Sequence, residues 1–364
     1  MTMAEGAISE RERRVLDIIE TARGKRARFT EPQITMAHGA GGKATETLIE
    51  GLFVPAFASE ALAEMADAGA VTAGGARLAM TTDSFVVKPL RFPGGSIGEL
   101  AVNGTVNDLA VSGARPLAMT VSLILEEGLP ADELRAEVSA MAAAAAAAGV
   151  EIVAGDTKVV GRGHADGMYV CTTGIGVVDP RAALSPAALR PGDRLLVSGP
   201  VGEHGTAIML ARGEFDLAAQ VESDTQPLWP AADALLEAGP ALRCMRDATR
   251  GGVASVLNEL ARASGVAMLV RERDVPVAPA VAGAAEILGI DPMHIANEGR
   301  LVAGVAPERA EAALAVLRAT PGCEGAADIG EVKTEPPGMV LVETSFGGRR
   351  VMDRLVGDPL PRIC

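Results

Sequence analysis

Short β-rich runs alternate with helical stretches along most of this chain, and the alternation breaks once, between residues 180 and 192, where Pro180, Pro186, Pro191 and Gly192 gather. Interleaved strands and helices bury a sheet under helices, so the pattern predicts α/β and α+β architecture in two domains, one on each side of the break. In the first half, strands are expected at 78–82, 85–90, 117–125, 150–154 and 169–178, with a strong helix over 132–148. Another helix opens after Pro93-Gly94-Gly95, where Ser96 and Glu99 have capping-box spacing. In the second half, strands are expected at 194–198, 242–245, 266–270, 301–306, 327–332 and 339–344, with helices at 281–288 and 307–319. The expected division is an extension at 1–33, a domain at 34–185, a second at 186–350 and a tail at 351–364. Residues 9–28 read as an amphipathic helix with a basic end, a solvated appendage.

The chain's 364 residues suffice for two cores, and 48% hydrophobic with 22% charged residues describes a globular protein. A net charge of −14 argues against a phosphate-gripping nucleic-acid surface, and with one Trp, one Tyr and seven Phe a base-stacking platform is not expected. Cys171, Cys244, Cys323 and Cys364 are widely spaced, which fits neither a zinc site nor a disulfide framework but a reducing compartment. The longest apolar run, 141–150, is too short to span a bilayer, and charges at residues 10–14 interrupt any signal sequence. A cytoplasmic location is expected.

The last six residues, Pro359-Leu360-Pro361-Arg362-Ile363-Cys364, form a stiff tether ending in a thiol. Two prolines deny it a helix or ladder, so it runs extended at roughly 3 Å per residue and carries the sulfur about 20 Å from Gly357. Arg362 would favour the thiolate. A swinging arm and a frayed terminus are both compatible with the tail alone.

Candidate chemistry lies in loops and at strand ends. His38-Gly39-Ala40-Gly41-Gly42-Lys43 opens a helical stretch and could cradle phosphate on its backbone N–H groups, or be a plain turn. It is not a Walker A loop, which would need Gly at Ala37 and Ser or Thr at Ala44. Asn103 and Asn107 stand i, i+4 on one helix face, the mark of contact with something polar. Asp83, Asp108 and Asp156 sit at strand ends or on a polar helix face. Carboxylates brought together need a cation, and with Lys43 and Lys158 nearby they suggest a magnesium-nucleotide site. Singly, each Asp also suits a turn or cap. Asp247-Ala248-Thr249-Arg250-Gly251-Gly252 opens a helix with another anion-ready terminus. His38, His204 and His294 are scattered and read as hydrogen-bonding core or loop residues.

These segments, with Phe92-Pro93-Gly94-Gly95, Asn107-Asp108-Leu109-Ala110, Gly155-Asp156-Thr157-Lys158-Val159-Val160, Ala296-Asn297-Glu298-Gly299 and Pro361-Arg362-Ile363-Cys364, resemble the superfamily of aminoimidazole ribonucleotide synthetase, selenophosphate synthetase and thiamine monophosphate kinase. The cysteine tail singles out its hydrogenase maturation family, HypE. The resemblance runs from about residue 34 to the end. It implies the two-domain PurM-like fold, a homodimer joined through the N-terminal sheet, and a nucleotide in the cleft between domains.

The implied activity is ATP-dependent dehydration of a carbamoyl group on Cys364 to a thiocyanate, the source of cyanide for the iron of nickel-iron hydrogenase. A HypF-like carbamoyltransferase would load the sulfur, and an iron-carrying HypC–HypD-like complex would accept the cyano group. ATP and Mg²⁺ are the implied cofactors. Cys364, Glu298, Lys158 and Arg250 are the expected catalytic residues, with Glu298 the better base on ordinary pKa. Gly41, Gly42, Lys43, Asp83, Asn103, Asn107, Asp108, Gly155, Asp156, Thr157, Asp247 and Thr249 would bind nucleotide, and Asp83, Asp108 and Asp156 the metal. Some superfamily members pair two acids before the glycine corresponding to Gly69; here the chain reads Asp67-Ala68-Gly69, so Asp67 is left out of the expected ligand set. The alternatives are a sibling phosphotransferase, which would leave Cys364 idle, and a non-enzymatic assembly scaffold.

Overall fold

The structure, a computed structural model, describes residues 28–213, 220–355 and 363–364; the helix expected over 9–28 falls outside them but for Arg28. The glycine-rich loop runs directly into α1 (Lys43–Leu48). A five-stranded sheet follows, made of β1 (Gly69–Ala73), β2 (Ala76–Phe85), β3 (Ala114–Glu126), β4 (Glu151–Val160) and β5 (Met168–Val178), in spatial order β1-β2-β5-β3-β4. Only β3 and β4 are parallel, because a crossover helix separates them. Two helices cover one face, α2 (Ile97–Val111) between β2 and β3 and α3 (Ala131–Ala148) in the crossover.

Helix α2 is buried nearly all round, which its small and apolar residues permit. A Cβ on Gly98 would lie 2.2 Å from the Glu137 carbonyl oxygen, so only glycine lets α2 and α3 approach this closely. The expected capping box does not form: Ser96 makes no cap bond, and the buried Glu137 carboxylate accepts from Gly98 N at 3.1 Å instead. The strand expected over 85–90 stops at Phe85, just ahead of Pro89, which has no N–H to give a ladder. Strand β4 extends further than expected, through Gly155-Asp156-Thr157-Lys158.

The second half carries β6 (Arg194–Val197), α4 (Glu203–Ala211), α5 (Trp229–Leu236), β7 (Leu242–Asp247), α6 (Gly252–Ser264), β8 (Ala267–Arg271), α7 (Pro279–Leu288), β9 (Leu301–Val305), α8 (Pro307–Ala319), β10 (Ala327–Lys333), β11 (Val340–Glu343) and β12 (Arg349–Val351). Its seven strands run β12-β11-β8-β10-β6-β9-β7. Leu195 and Val197 pack with α6 on one face while Leu196 packs with α5 and α8 on the other, so the continuous apolar run reflects a strand covered on both sides. Short α4 and α5, and strands β1 and β12, have no counterpart among the sequence-level expectations. Ala110 and Val111, at the end of α2, enter the second core beside Leu228 and Leu235. Among the described residues no helix is long and apolar enough to cross a membrane.

Candidate active site

The junction of the halves is built from acids. Strand β2 carries Asp83, α2 carries Asp108, β7 ends in Asp247, and Asp67 precedes β1. One carboxylate oxygen from each of Asp67, Asp108 and Asp247 lies within 4.8 Å of the others. The Asp83 and Asp108 carboxyls share a hydrogen bond, and Thr81 Oγ1 donates to Asp108 Oδ2 at 2.5 Å. Burial, then Asp83 and Asp247, push Asp108 well above the usual carboxylate range; burial, then Asp67 and Asp83, do the same to Asp247. Burial also raises Asp67 to about 6, against the pull of Arg246, whose Nε stands 3.0 Å from Asp67 Oδ1. Such a cluster is short of positive charge, and a hard divalent cation fits its all-oxygen donors.

Two cavities flank this cluster and share Arg250 as a wall. The smaller, about 210 Å³, is lined by Gly41, Asp67, Asp108, Asp247 and Thr249. The larger, about 590 Å³, is bounded by Gly39, Gly42, Asp83 and His294 and reaches Ile363 and Cys364. Gly41 sits at φ 73°, and a Cβ there would meet Arg250 Cβ at 2.9 Å, so the glycine lets the loop lie on Arg250.

The last residue is inside this site. Cys364 is 9% exposed, and burial pushes its thiol up to about 12; Arg250 opposes the shift and Glu298, hydrogen-bonded to the thiol, adds to it. The thiolate expected from Arg362 is therefore not the resting form: Arg362 lies outside the described residues, and desolvation dominates at the sulfur. Glu298 is 2% exposed and its Oε1 has no hydrogen-bond partner among the described residues. Burial first, then Asp247 and Asp224, hold its carboxyl well above the ordinary range, with Arg250 opposing. The ordinary pKa on which Glu298 ranks as the base is thus shifted upward in the folded chain, and a carboxylate of raised proton affinity is the stronger base.

Other expected residues lie elsewhere. Gly155, Asp156, Thr157 and Lys158 occupy β4, an exposed edge strand, where Lys158 Nζ pairs with Asp156 Oδ2 at 2.9 Å and the Lys158 hydrogen bond holds Asp156 below its usual range. Within this chain Asp156 is not in the acid cluster, because the ladder carries it past the strand end that the sequence suggested. Asn107 is consumed by structure: Nδ2 donates to Gln226 O and Glu298 O, and Oδ1 accepts from Leu228 N at 2.7 Å. Its amide ties the two halves together. Asn103 Nδ2 donates to Thr225 Oγ1, leaving Oδ1 buried without a partner among the described residues. Lys43 Nζ pairs with Asp353 at 2.8 Å, beside the root of the tail.

Two residues of the site escaped sequence reasoning. Asp67 was set aside for lack of a neighbouring acid, yet Asp247 arrives beside it from the other half. His204 was read as a core histidine; it is fully buried, with Nε2 2.6 Å from the Ile363 carbonyl. Its only local signal is its place just after Gly199-Pro200-Val201-Gly202.

Known proteins resemble this chain along both halves. The family model "AIR synthase related protein, N-terminal domain" matches residues 65–178, and its C-terminal counterpart matches 190–342. The carbamoyl dehydratase HypE of Rhodobacter capsulatus is 48% identical over 336 residues, 92% of this chain and 99% of that protein. A crystal structure of a HypE–HypF complex has a chain 44% identical with TM-score 0.81, covering 85% of this chain and 99% of that one. HypE crystallised in complex with ATP is 45% identical with TM-score 0.76, covering 91% of this chain and 100% of that one. This chain belongs to the AIR synthase related family, within its HypE carbamoyl dehydratase branch.

Proposed function

We propose that the chain dehydrates a carbamoyl group carried on Cys364, at the expense of ATP, leaving a thiocyanate on the sulfur for delivery to the iron of a nickel-iron hydrogenase. The observation that carries this reading is the burial of Cys364 between Arg250 and Glu298, at the edge of a cavity bordered by the glycine loop. An amide oxygen leaves poorly, so it must first become a phosphate ester. Phosphorylation of the carbamoyl oxygen releases ADP and one nitrogen proton; elimination of phosphate with the second proton gives S–C≡N. Arg250, with its fixed fork of donors, grips the oxygen or the phosphate it acquires. Glu298 takes the nitrogen protons. Asp67, Asp108 and Asp247 would hold Mg²⁺, which when bound supplies positive charge for the ATP phosphates.

A thiol this buried has to leave the pocket to be loaded, so the tail moves between the site and its partners, a HypF-like carbamoyl donor and an iron-carrying HypC–HypD-like acceptor. We also read the chain as a homodimer. Val71, Met80 and Leu117 of the N-terminal sheet are exposed on the face turned away from the helix-covered core, and an apolar patch of this kind marks an interface. A second copy over that sheet would bring Asp156 and Lys158 of β4 to a site their own subunit does not reach. Met80→Glu should then convert the dimer to a monomer in light scattering; an unchanged mass removes this interface.

The deciding experiment is the mass of the C-terminal peptide after incubation with the carbamoyl donor. A carbamoyl adduct that loses one water only when ATP is added supports the reaction; an adduct unaffected by ATP refutes it.

A further inference from the structure

The tail is held in the pocket by its backbone, through a residue outside the chemistry. His204 is the second residue of α4 and is fully buried. Its Nε2 lies 2.6 Å from the carbonyl oxygen of Ile363, the last peptide carbonyl before Cys364, and its Nδ1 lies 2.7 Å from Ser223 Oγ. A peptide carbonyl only accepts, so Nε2 carries the proton, and in a neutral ring Nδ1 then accepts from the Ser223 hydroxyl. Burial pushes His204 down to about 4, which keeps the ring neutral at ordinary pH. Ser223 Oγ accepts in turn from Thr225 N at 3.2 Å, leaving its own proton for the imidazole. The ring stands edge-on to Phe92, with centroids 5.5 Å apart.

This post is also tied to the reacting groups. Asn297 Oδ1 accepts from Gly202 N at 2.7 Å, at the start of α4, while its Nδ2 donates to Ala248 O, next to Asp247. Glu298 follows directly, its N–H donating to Asp224 Oδ1 at 3.0 Å. Ile363 itself is 5% exposed, in an apolar cluster drawn from both halves that includes Phe92 and Ile208. Apolar packing holds the Ile363 side chain without fixing its peptide plane; a single donor aimed at the carbonyl sets that plane, and with it the direction in which Cys364 leaves the backbone.

We propose that His204, held in one tautomer by Ser223, is the positioning residue that docks the tail by its penultimate carbonyl and aims Cys364 at Glu298 and Arg250. The inference rests on Cys364 being the carrier of the reacting group, but docking is measurable without any turnover. In the full chain without ATP or partners, the alkylation rate of Cys364 by iodoacetamide is read from the mass of the C-terminal peptide. His204→Phe keeps a ring and removes the donor; it should raise the rate about tenfold, the factor one well-made buried hydrogen bond supports. His204→Gln, which can still donate, should restore much of the protection, and Ser223→Ala should fall between.

In carbamoylated protein, the same His204→Phe change should slow ATP-dependent water loss about tenfold while leaving carbamoyl loading by the donor unslowed, because a released tail is easier to load and harder to dehydrate. A merely damaged fold would slow both. Should His204→Phe fail to fold, Ser223→Ala, which leaves the imidazole in place and removes only the hydroxyl bonded to its Nδ1, decides through the same two measurements. Unchanged alkylation and unchanged dehydration in the soluble variants would overturn the proposal. If alkylation responds but no variant, nor the parent, forms thiocyanate, the docking role stands and the dehydratase reading falls.

Discussion

Two segments of this chain look alike in sequence and live in opposite surroundings. Gly155-Asp156-Thr157-Lys158 lies along an exposed edge strand, where Asp156 is paired with Lys158 and titrates below its ordinary range. Asp247-Ala248-Thr249-Arg250-Gly251-Gly252 closes a buried strand and opens α6, where Asp247 titrates well above its ordinary range because it is buried beside Asp67 and Asp83. An Asp and a cation in a glycine-rich segment therefore specify a potential site. Whether that site is charged, strained and dry depends on what the fold stacks against it.

The comparison can be tested by removing charge on each side. Asp247→Asn should cost the largest factor, about 100-fold or more in ATP-dependent thiocyanate formation, read by peptide mass. The same change relieves repulsion among buried acids, so without divalent cation its melting temperature should rise by roughly 2–4 °C in scanning calorimetry. A fall would mean the cluster is not strained. Glu298→Gln comes next, with about 100-fold slower dehydration and unaltered ATP binding by titration calorimetry, since it removes a base and not a phosphate contact.

Asp156→Asn should leave the melting temperature of the fold unchanged and slow turnover about tenfold, an effect arising only if β4 serves a neighbouring subunit. Unchanged turnover would confine the chemistry to the Asp247 side. The smallest effect is in pH dependence. The docked thiol titrates near 12 against an ordinary 9.0, so the docked state holds its proton more tightly, and docking is strongest below pH 9 and weakens as pH rises toward the docked value. Alkylation of Cys364 should keep increasing above pH 9 by a factor of a few, where a free tail peptide has levelled off. A coincident plateau would place the thiol outside the pocket.

Several of the residues that gather at the junction of the halves are legible in the sequence as candidates. Cys364, Glu298, Arg250 and Asp247 stand in segments whose residue types advertise chemistry, and glycines such as Gly41 mark where backbone must come close. Asp67 and His204 carried no such mark. A lone acid and a lone histidine acquire meaning only from partners far along the chain, Asp247 in one case and the Ile363 carbonyl in the other. Asn103 and Asn107 announced a polar contact through their helical spacing, but not that the contact would be the loop at 225–228 of the same chain.

By itself the sequence determined the alternation of strands and helices, the Pro- and Gly-rich break that interrupts it and the residue types available to a site, because periodicity and residue type are local properties. Tertiary structure decided which acids meet, which titrate high and which side chain meets the Ile363 carbonyl. Those outcomes depend on desolvation and on charges brought together across hundreds of residues, and no local pattern encodes either.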